Sequence, residues 1–365
     1  MARHNANNER VKRDYFTFLR ESRGHSEASV DQAAKALARF EEHTKCRDFK
    51  KFHHELAIAY KRHLSAQSNA TTGTRLSKST VRSELRCLTR FFDWLAMQSG
   101  YRSRFACSDA TYFNLSANDA RVATATRERP APSLEQVLHV LERMPADTEI
   151  EQRNRALFAF TLLTGARDSA LASFKMKHVD IHRGTVHQDA REVRTKNAKT
   201  FMTVFFPVGD HARRIVEEWV TYLQKQKLWG PDDPLFPSTE VVQDEDRQFK
   251  PVGLKRQHWS NATPIRSIFR DAFERCGLPY FNPHSFRKTL VQLGERLCRN
   301  AEQFKAWSQN LGHERVLTTF NSYGTVSPHR QAELIQTLGA EEPNDKEVIA
   351  KIHDLLKSRP FQSRA

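Results

Sequence analysis

Long apolar runs are missing from this 365-residue chain. The longest, around Ala156 to Leu163, falls far short of the roughly 20 residues a membrane-spanning helix needs, so a membrane protein is not expected. The N-terminus, MARHNANNERVKRDYF, is polar and carries no apolar segment of the signal-peptide kind. Cysteine is scarce and unpatterned: Cys46, Cys87, Cys107, Cys276 and Cys298 are an odd number, with no C-x-x-C pair and no zinc-type spacing. Free, mostly packed thiols in a reducing compartment are the expectation. Sixteen histidines do not alter this, because the pair His53-His54 lacks a partner one helical turn on, and no metal is expected. The acidic triplet Asp244, Glu245 and Asp246 falls in a polar, breaker-rich stretch, 230 to 262, which reads as a long irregular and solvated connection.

Positive charge is what the chain has in excess. Lys and Arg number 58 against 43 Asp and Glu, a formal charge of +15 with pI near 9.7. Such an excess among so many acids calls for a polyanionic partner, nucleic acid first. The length suits two or three domains, each with its own core.

Helical periodicity runs from about Val11 to Gly100. Its clearest element is Thr80 to Met97, where Val81, Leu85, Leu88, Phe91, Phe92 and Leu95 make one apolar stripe. Arg82, Arg86 and Arg90 recur at every fourth position away from that stripe, either a solvated face or one that contacts phosphates. The stretch 120 to 137, with small and basic residues and two prolines, reads as a linker. Helices follow at about Ser133 to Arg143 and Glu149 to Thr164, then a strand-like hairpin or meander near Thr185 to Val208 around the turn TKNAK. Helices resume at about His211 to Gln226 and at Thr263-Pro264, read as N-cap and N1. Detached by GAEEPND, the segment 343 to 358 is a short amphipathic helix whose stripe must bury against its own domain or a neighbouring subunit.

Three segments carry chemistry. In NPHSFRKTLVQLGERL, 282 to 297, Asn282 and Pro283 read as N-cap and N1, so His284 and Arg287 fall in the first turn, pointing away from the stripe of Phe286, Leu290, Leu293 and Leu297. A histidine and an arginine beside free backbone N–H groups suit a phosphate. In FTLLTGARDSALASFK, Arg167 comes two positions after Gly165 at a helix junction, a rigid mount for a bidentate clamp; pairing with Asp168 or capping the preceding helix is its alternative role. In LGHERVLTTFNSYG, 311 to 324, His313 precedes Tyr323 by ten positions.

The order TGAR (164 to 167), TKNAK (195 to 199), HSFR (284 to 287) and LGH…Y (311 to 323) resembles the tyrosine recombinases, or phage integrase family. The resemblance implies a mainly α (α+β) fold. Its parts would be a helical core-binding domain (1–119), a basic linker (120–133), a mixed catalytic domain with a small antiparallel sheet (134–340) and a tail (341–365) whose helix docks in trans. It makes Arg167 and Arg287 the catalytic arginines and Lys196 the catalytic lysine, with Lys199 the competing candidate. His284 matches the histidine of the H-x-x-R box, His313 that of LGH, and Tyr323 the nucleophile. Arg82, Arg86, Arg90, Lys199 and Lys288 are the expected DNA contacts. One departure is visible: relatives commonly carry an acid three positions after the first arginine, where this chain has Ala170, so either Asp168 orients Arg167 instead or the arginine is less tightly held.

The implied activity is site-specific recombination of double-stranded DNA through a 3′-phosphotyrosyl link and a four-way junction. A homotetramer would perform it, in the bacterial cytoplasm at the nucleoid, as part of a mobile element. A phenol of pKa about 10 is both an accessible nucleophile and a fair leaving group, so rejoining needs no cofactor. Permanently charged guanidinium groups hold the phosphate oxygens in place of a metal. An ammonium in a hairpin turn protonates the leaving 5′-oxygen, and His284 assists proton transfer at Tyr323. The competing expectations are a type IB topoisomerase-like strand transferase and a DNA-binding relative without the chemistry. A metal-dependent nuclease is a poorer third, for want of a carboxylate cluster.

Overall fold

The structure, a computed structural model, describes residues 4–69, 72–125, 130–244 and 246–313. Two compact units divide the chain, Met1–Arg127 and Glu128–Ala365. No described helix is long and apolar enough to cross a membrane, and no described group of three His, Cys, Asp or Glu side chains could hold a metal ion.

The first unit is helical: α1 (Ala6–Thr17), α2 (Glu27–Thr44), α3 (His54–Ala66), α4 (Lys78–Ala96), α5 (Cys107–Ala110) and α6 (Ala117–Thr124). The last of these lies partly in the stretch read as linker. Ser77 caps α4, its Oγ accepting from the Thr80 backbone N–H at 3.1 Å. The α4 stripe is the spine of the core: Leu88, Phe91, Phe92 and Leu95 have no exposed surface. Phe52 stacks on Phe92 at 3.7 Å, and each such buried ring contributes about 1.5–3 kcal/mol. Phe52 also ends a short 3-10 turn (Phe49–Lys51), which precedes α3. Arg82, Arg86 and Arg90 lie off the buried stripe, and none forms an ion pair with a described residue.

The second unit is built on α8 (Glu149–Thr164), which follows α7 (Leu134–Arg143). Every residue of α8 from Ala156 to Thr164 is buried, so the longest apolar run of the sequence is the central helix of this core. Phe158 meets Phe269 at 4.7 Å and Phe286 at 5.0 Å, which ties α8 to α11 (Thr263–Arg275) and α12 (Ser285–Leu297). After α8 come α9 (Asp168–Leu171) and the antiparallel sheet β1 (Val179–Asp180), β2 (Thr185–Gln188) and β3 (Phe201–Val204), then α10 (Asp210–Lys225). A further helix, α13 (Ala301–Asn310), leads to the last described residues.

Two sequence expectations are corrected here. The stretch 230 to 262 contains an antiparallel hairpin, β4 (Ser238–Gln243) and β5 (Phe249–Lys255), with the register shifted between Glu240 and Val241. The bulge and Pro251 break the period-two alternation that would have announced it. Asp244 is part of the hairpin turn: its Oδ1 accepts from the Gln248 N–H at 2.7 Å, and Lys250 bridges it at 2.6 Å. The α11 helix begins with Thr263 already inside it, and Asn261 Oδ1 takes the Thr263 N–H at 2.9 Å.

Candidate active site

Arg167 sits in the three-residue joint between α8 and α9. Gly165 ends α8 in the left-handed conformation, φ +59, where its N–H bonds to the Thr161 carbonyl at 2.8 Å. A glycine is required there on two counts: φ, and the 2.8 Å that would separate an added Cβ from Leu311 Cδ2. Arg167 follows in extended conformation and is half-buried, and this partial burial pushes its pKa down. Its side chain makes no hydrogen bond or ion pair with a described residue.

Arg287 is the hub. It is buried, 5% exposed, donating from Nη1 to the Gly165 carbonyl (2.7 Å) and from Nη2 to the Leu311 carbonyl (2.6 Å) and to His313 Nε2 (2.7 Å). One side chain thus joins the TGAR, HSFR and LGH segments. This corrects the expectation that Arg287 points away from the buried face of its helix. Leu297, assigned to the buried stripe, is instead 48% exposed. The helix also starts later than expected, at Ser285: Asn282 Oδ1 takes the Ser285 N–H at 3.2 Å, and His284 is the N-cap residue. Burial, and then the Arg167 charge, lower the Arg287 pKa to about 9, which leaves it charged at pH 7. No carboxylate pairs with either arginine among the described residues.

The histidines are tuned by the same cations. Because a guanidinium can only donate, His313 Nε2 must accept, and Nδ1 carries the proton. Burial first, then Arg287 and Arg167, hold His313 down at about 4, so it is neutral at pH 7. His284 is also pushed down, by desolvation first and then by Arg287 and Arg167. It keeps accessible surface at the helix start while protein crowds its other side.

Lys196 heads the turn between β2 and β3, exposed and with no hydrogen bond to a described residue. Asn197 and Ala198 take φ of +59 and +49 there. The base of the turn is fastened rather than the lysine itself. Arg194 Nη2 donates to the carbonyls of Ala172 (2.7 Å) and Trp259 (2.6 Å), and Ser173 Oγ takes the Arg194 N–H at 2.9 Å. Lys199 instead lies 5.9 Å over the Phe201 ring. The His313 loop is tied to β3 in turn: Asn310 exchanges two hydrogen bonds with the Val204 backbone, at 2.7 and 2.8 Å. Gly312 passes so close to Phe201 that a Cβ would stand 2.6 Å from its ring. Lys288 is half-buried beside Arg287. Tyr323 and the 343 to 358 segment lie outside the described residues.

Sequence reasoning missed Arg194 and Asn310, whose only signal is their place next to the TKNAK and LGH motifs. It left open whether Asp168 orients Arg167. The carboxylate does not orient Arg167 but pairs with Arg266 of α11, at 2.7 Å from Nε and 2.6 Å from Nη2. Ala170 is buried, 1% exposed, so no acid replaces it.

Two guanidinium groups with no carboxylate partner among the described residues, two neutral histidines and an exposed lysine are side chains that suit an anion such as a phosphodiester. The phage integrase family model matches residues 131–330, and the chain belongs to that family, the tyrosine site-specific recombinases. It is similar to the tyrosine recombinase XerC of Thermodesulfovibrio yellowstonii, 24% identical over 251 residues, 67% of this chain and 70% of that one. Among solved structures it is similar to a lambda integrase dimer bound to a COC' core site, with TM-score 0.57, 13% identity, and 88% and 96% of the two chains covered. The Tn1549 transposon integrase in complex with transposon right end DNA gives TM-score 0.55 at 14% identity, covering 90% and 99%. These likenesses carry the fold, α-helical with small antiparallel sheets.

Proposed function

We propose that this recombinase cleaves and rejoins double-stranded DNA with Tyr323 as nucleophile, through a 3′-phosphotyrosyl intermediate and a four-way junction. The observation that carries the reading is Arg287, which gathers three separated motifs around one cation and stands near a second, Arg167, with no carboxylate among the described residues to neutralise either. Like charges held together in a partly buried site are relieved by an anion, and a phosphodiester with two non-bridging oxygens offers one to each guanidinium. As the pentacoordinate transition state gathers charge, those contacts strengthen.

In this account neutral His284 takes the Tyr323 proton during cleavage and returns it on rejoining. His313, whose Nε2 faces Arg287, donates from Nδ1 toward a phosphate oxygen. Lys196, exposed at the head of a fastened turn, protonates the departing 5′-oxygen, and Lys199, which lies over Phe201, contacts DNA together with Lys288. The first unit supplies Arg82, Arg86 and Arg90 to the DNA backbone, which with a charge of +15 makes affinity strongly salt-dependent. The proposed domains are 1–119, 120–133, 134–340 and 341–365, and the helix of the last joins protomers of a tetramer in the synaptic complex. A cytoplasmic, nucleoid-associated place of action and service to a mobile element complete the reading, the latter supported by the likeness to a transposon integrase.

Strand exchange between two differently labelled duplexes bearing the site tests this. Products joining one label to the other are expected; relaxation of supercoiled DNA without any exchange would favour a topoisomerase-like transferase instead.

A further inference from the structure

Asp168 directly follows Arg167 and begins α9. It is the adjoining carboxylate, yet it is fully engaged elsewhere. Oδ1 accepts from the Ser169 N–H at 2.9 Å, and Oδ2 takes both Nε (2.7 Å) and Nη2 (2.6 Å) of Arg266. Arg266 reaches it from the first turn of α11, 98 positions along the chain, and its own side chain is 56% exposed. Arg167 is left with no partner among the described residues.

That division of partners has a chemical consequence. A carboxylate and a phosphodiester present similar pairs of oxygens to a guanidinium fork, so a released Asp168 competes with the substrate for Arg167. A bare carboxylate there also repels an incoming phosphate. Ala170 offers no other acid nearby on α9 to change this balance.

We propose that Arg266 is a positioning residue that sequesters Asp168, so that Arg167 meets the scissile phosphate unpaired. The inference rests on the reading of Arg167 as a catalytic arginine. The charge of Asp168 already reaches the centre, where it pushes the His284 pKa up against the downward push of the two arginines. Arg266 is neither in the core nor within the three motif segments that meet at Arg287, so its removal acts on the site through Asp168.

The test uses the full chain and a nicked suicide duplex, reading the rate of covalent adduct formation and, separately, equilibrium binding of the same duplex. The variants are Arg266→Ala, Arg266→Lys, Asp168→Asn and the Arg266→Ala/Asp168→Asn double. If freed Asp168 holds Arg167 in nine molecules of ten, the competent fraction falls to about a tenth, so Arg266→Ala is expected to slow the adduct about tenfold. Arg266→Lys keeps the pair and most of the rate. The double variant regains the rate of Asp168→Asn alone within about twofold, because no carboxylate remains to compete. A double variant as slow as Arg266→Ala overturns the proposal, as does an Arg266→Ala variant with unchanged rate. Binding lost in step with rate and not restored by Asp168→Asn would make Arg266 a DNA contact and overturn it too. Unfolding midpoints of the four variants separate misfolding, which Asp168→Asn would not cure. Absence of an adduct with the unaltered chain would instead remove the catalytic reading of the site, and this proposal with it.

Discussion

Gly165→Ala is the perturbation whose cost can be worked most fully from the structure. The residue adopts φ +59, and a Cβ there would stand 2.8 Å from Leu311 Cδ2 and 3.0 Å from Leu290 Cδ1, both buried. Left-handed backbone costs a non-glycine residue about 1–2 kcal/mol, and overpacking a closed core costs about 1–3 kcal/mol. Restricting the unfolded chain returns about 0.4–1 kcal/mol, so a net loss of about 2–4 kcal/mol is expected. Gly277→Ala is the matched control: its φ is +67 but nothing lies within 4 Å of the added carbon, so only the backbone cost of about 1 kcal/mol remains. Urea unfolding followed by tryptophan fluorescence measures both. Of the five tryptophans, Trp219, Trp229, Trp259 and Trp307 lie in the second unit and report on it. The site should suffer as well, because the carbonyls of Gly165 and Leu311 are the anchors of Arg287. Adduct formation should therefore fall more than DNA binding. Equal losses for the two alanine variants would refute the packing argument, showing that Leu311 and Leu290 yield without cost.

Three further outcomes are expected. His313, held down at about 4 when folded against about 6.5 when unfolded, is protonated first in the unfolded chain. Its contribution is therefore complete above pH 6.5 and is lost as pH falls toward 4; His313→Gln should show a shallower decline between pH 7 and 5 in urea titrations, and an identical decline would exclude the shift. Lys196→Ala should slow cleavage at a normal phosphodiester by about 10²–10⁴-fold, and a 5′-thio leaving group, which needs no protonation, should restore it; Lys199→Ala should gain nothing from sulfur. Replacing Arg82, Arg86 or Arg90 singly by Gln should weaken binding and reduce the slope of log K against log salt by about 1 each, and an unchanged slope would make that face of α4 merely solvated.

Much of the molecule is written in local pattern. The stripe from Val81 to Leu95 marks α4, and the helical stretches from Ser133 and Glu149 mark α7 and α8, because each is decided by neighbours within a turn or two. The motif residues were legible for a similar reason: short segments keep their order whatever lies between them. What escaped is non-local. Helical-wheel logic sends an arginine outward, yet Arg287 turns inward because the Gly165 carbonyl at the end of α8 and the Leu311 carbonyl beyond α13 await it. Asp168 looks like a partner for its neighbour, and only the fold brings Arg266 to it from 98 positions away. The β4–β5 hairpin was hidden by its own bulge and by Pro251.

The central claim is that Tyr323 carries the DNA strand during exchange. Trapping the full chain on a nicked suicide duplex, digesting the adduct and sequencing the nucleotide-bearing peptide by mass spectrometry tests it most directly. The account predicts a 3′-phosphate linked to Tyr323, absent from a Tyr323→Phe variant that still binds the duplex. Attachment at any other residue, or an undiminished adduct in that variant, would contradict it.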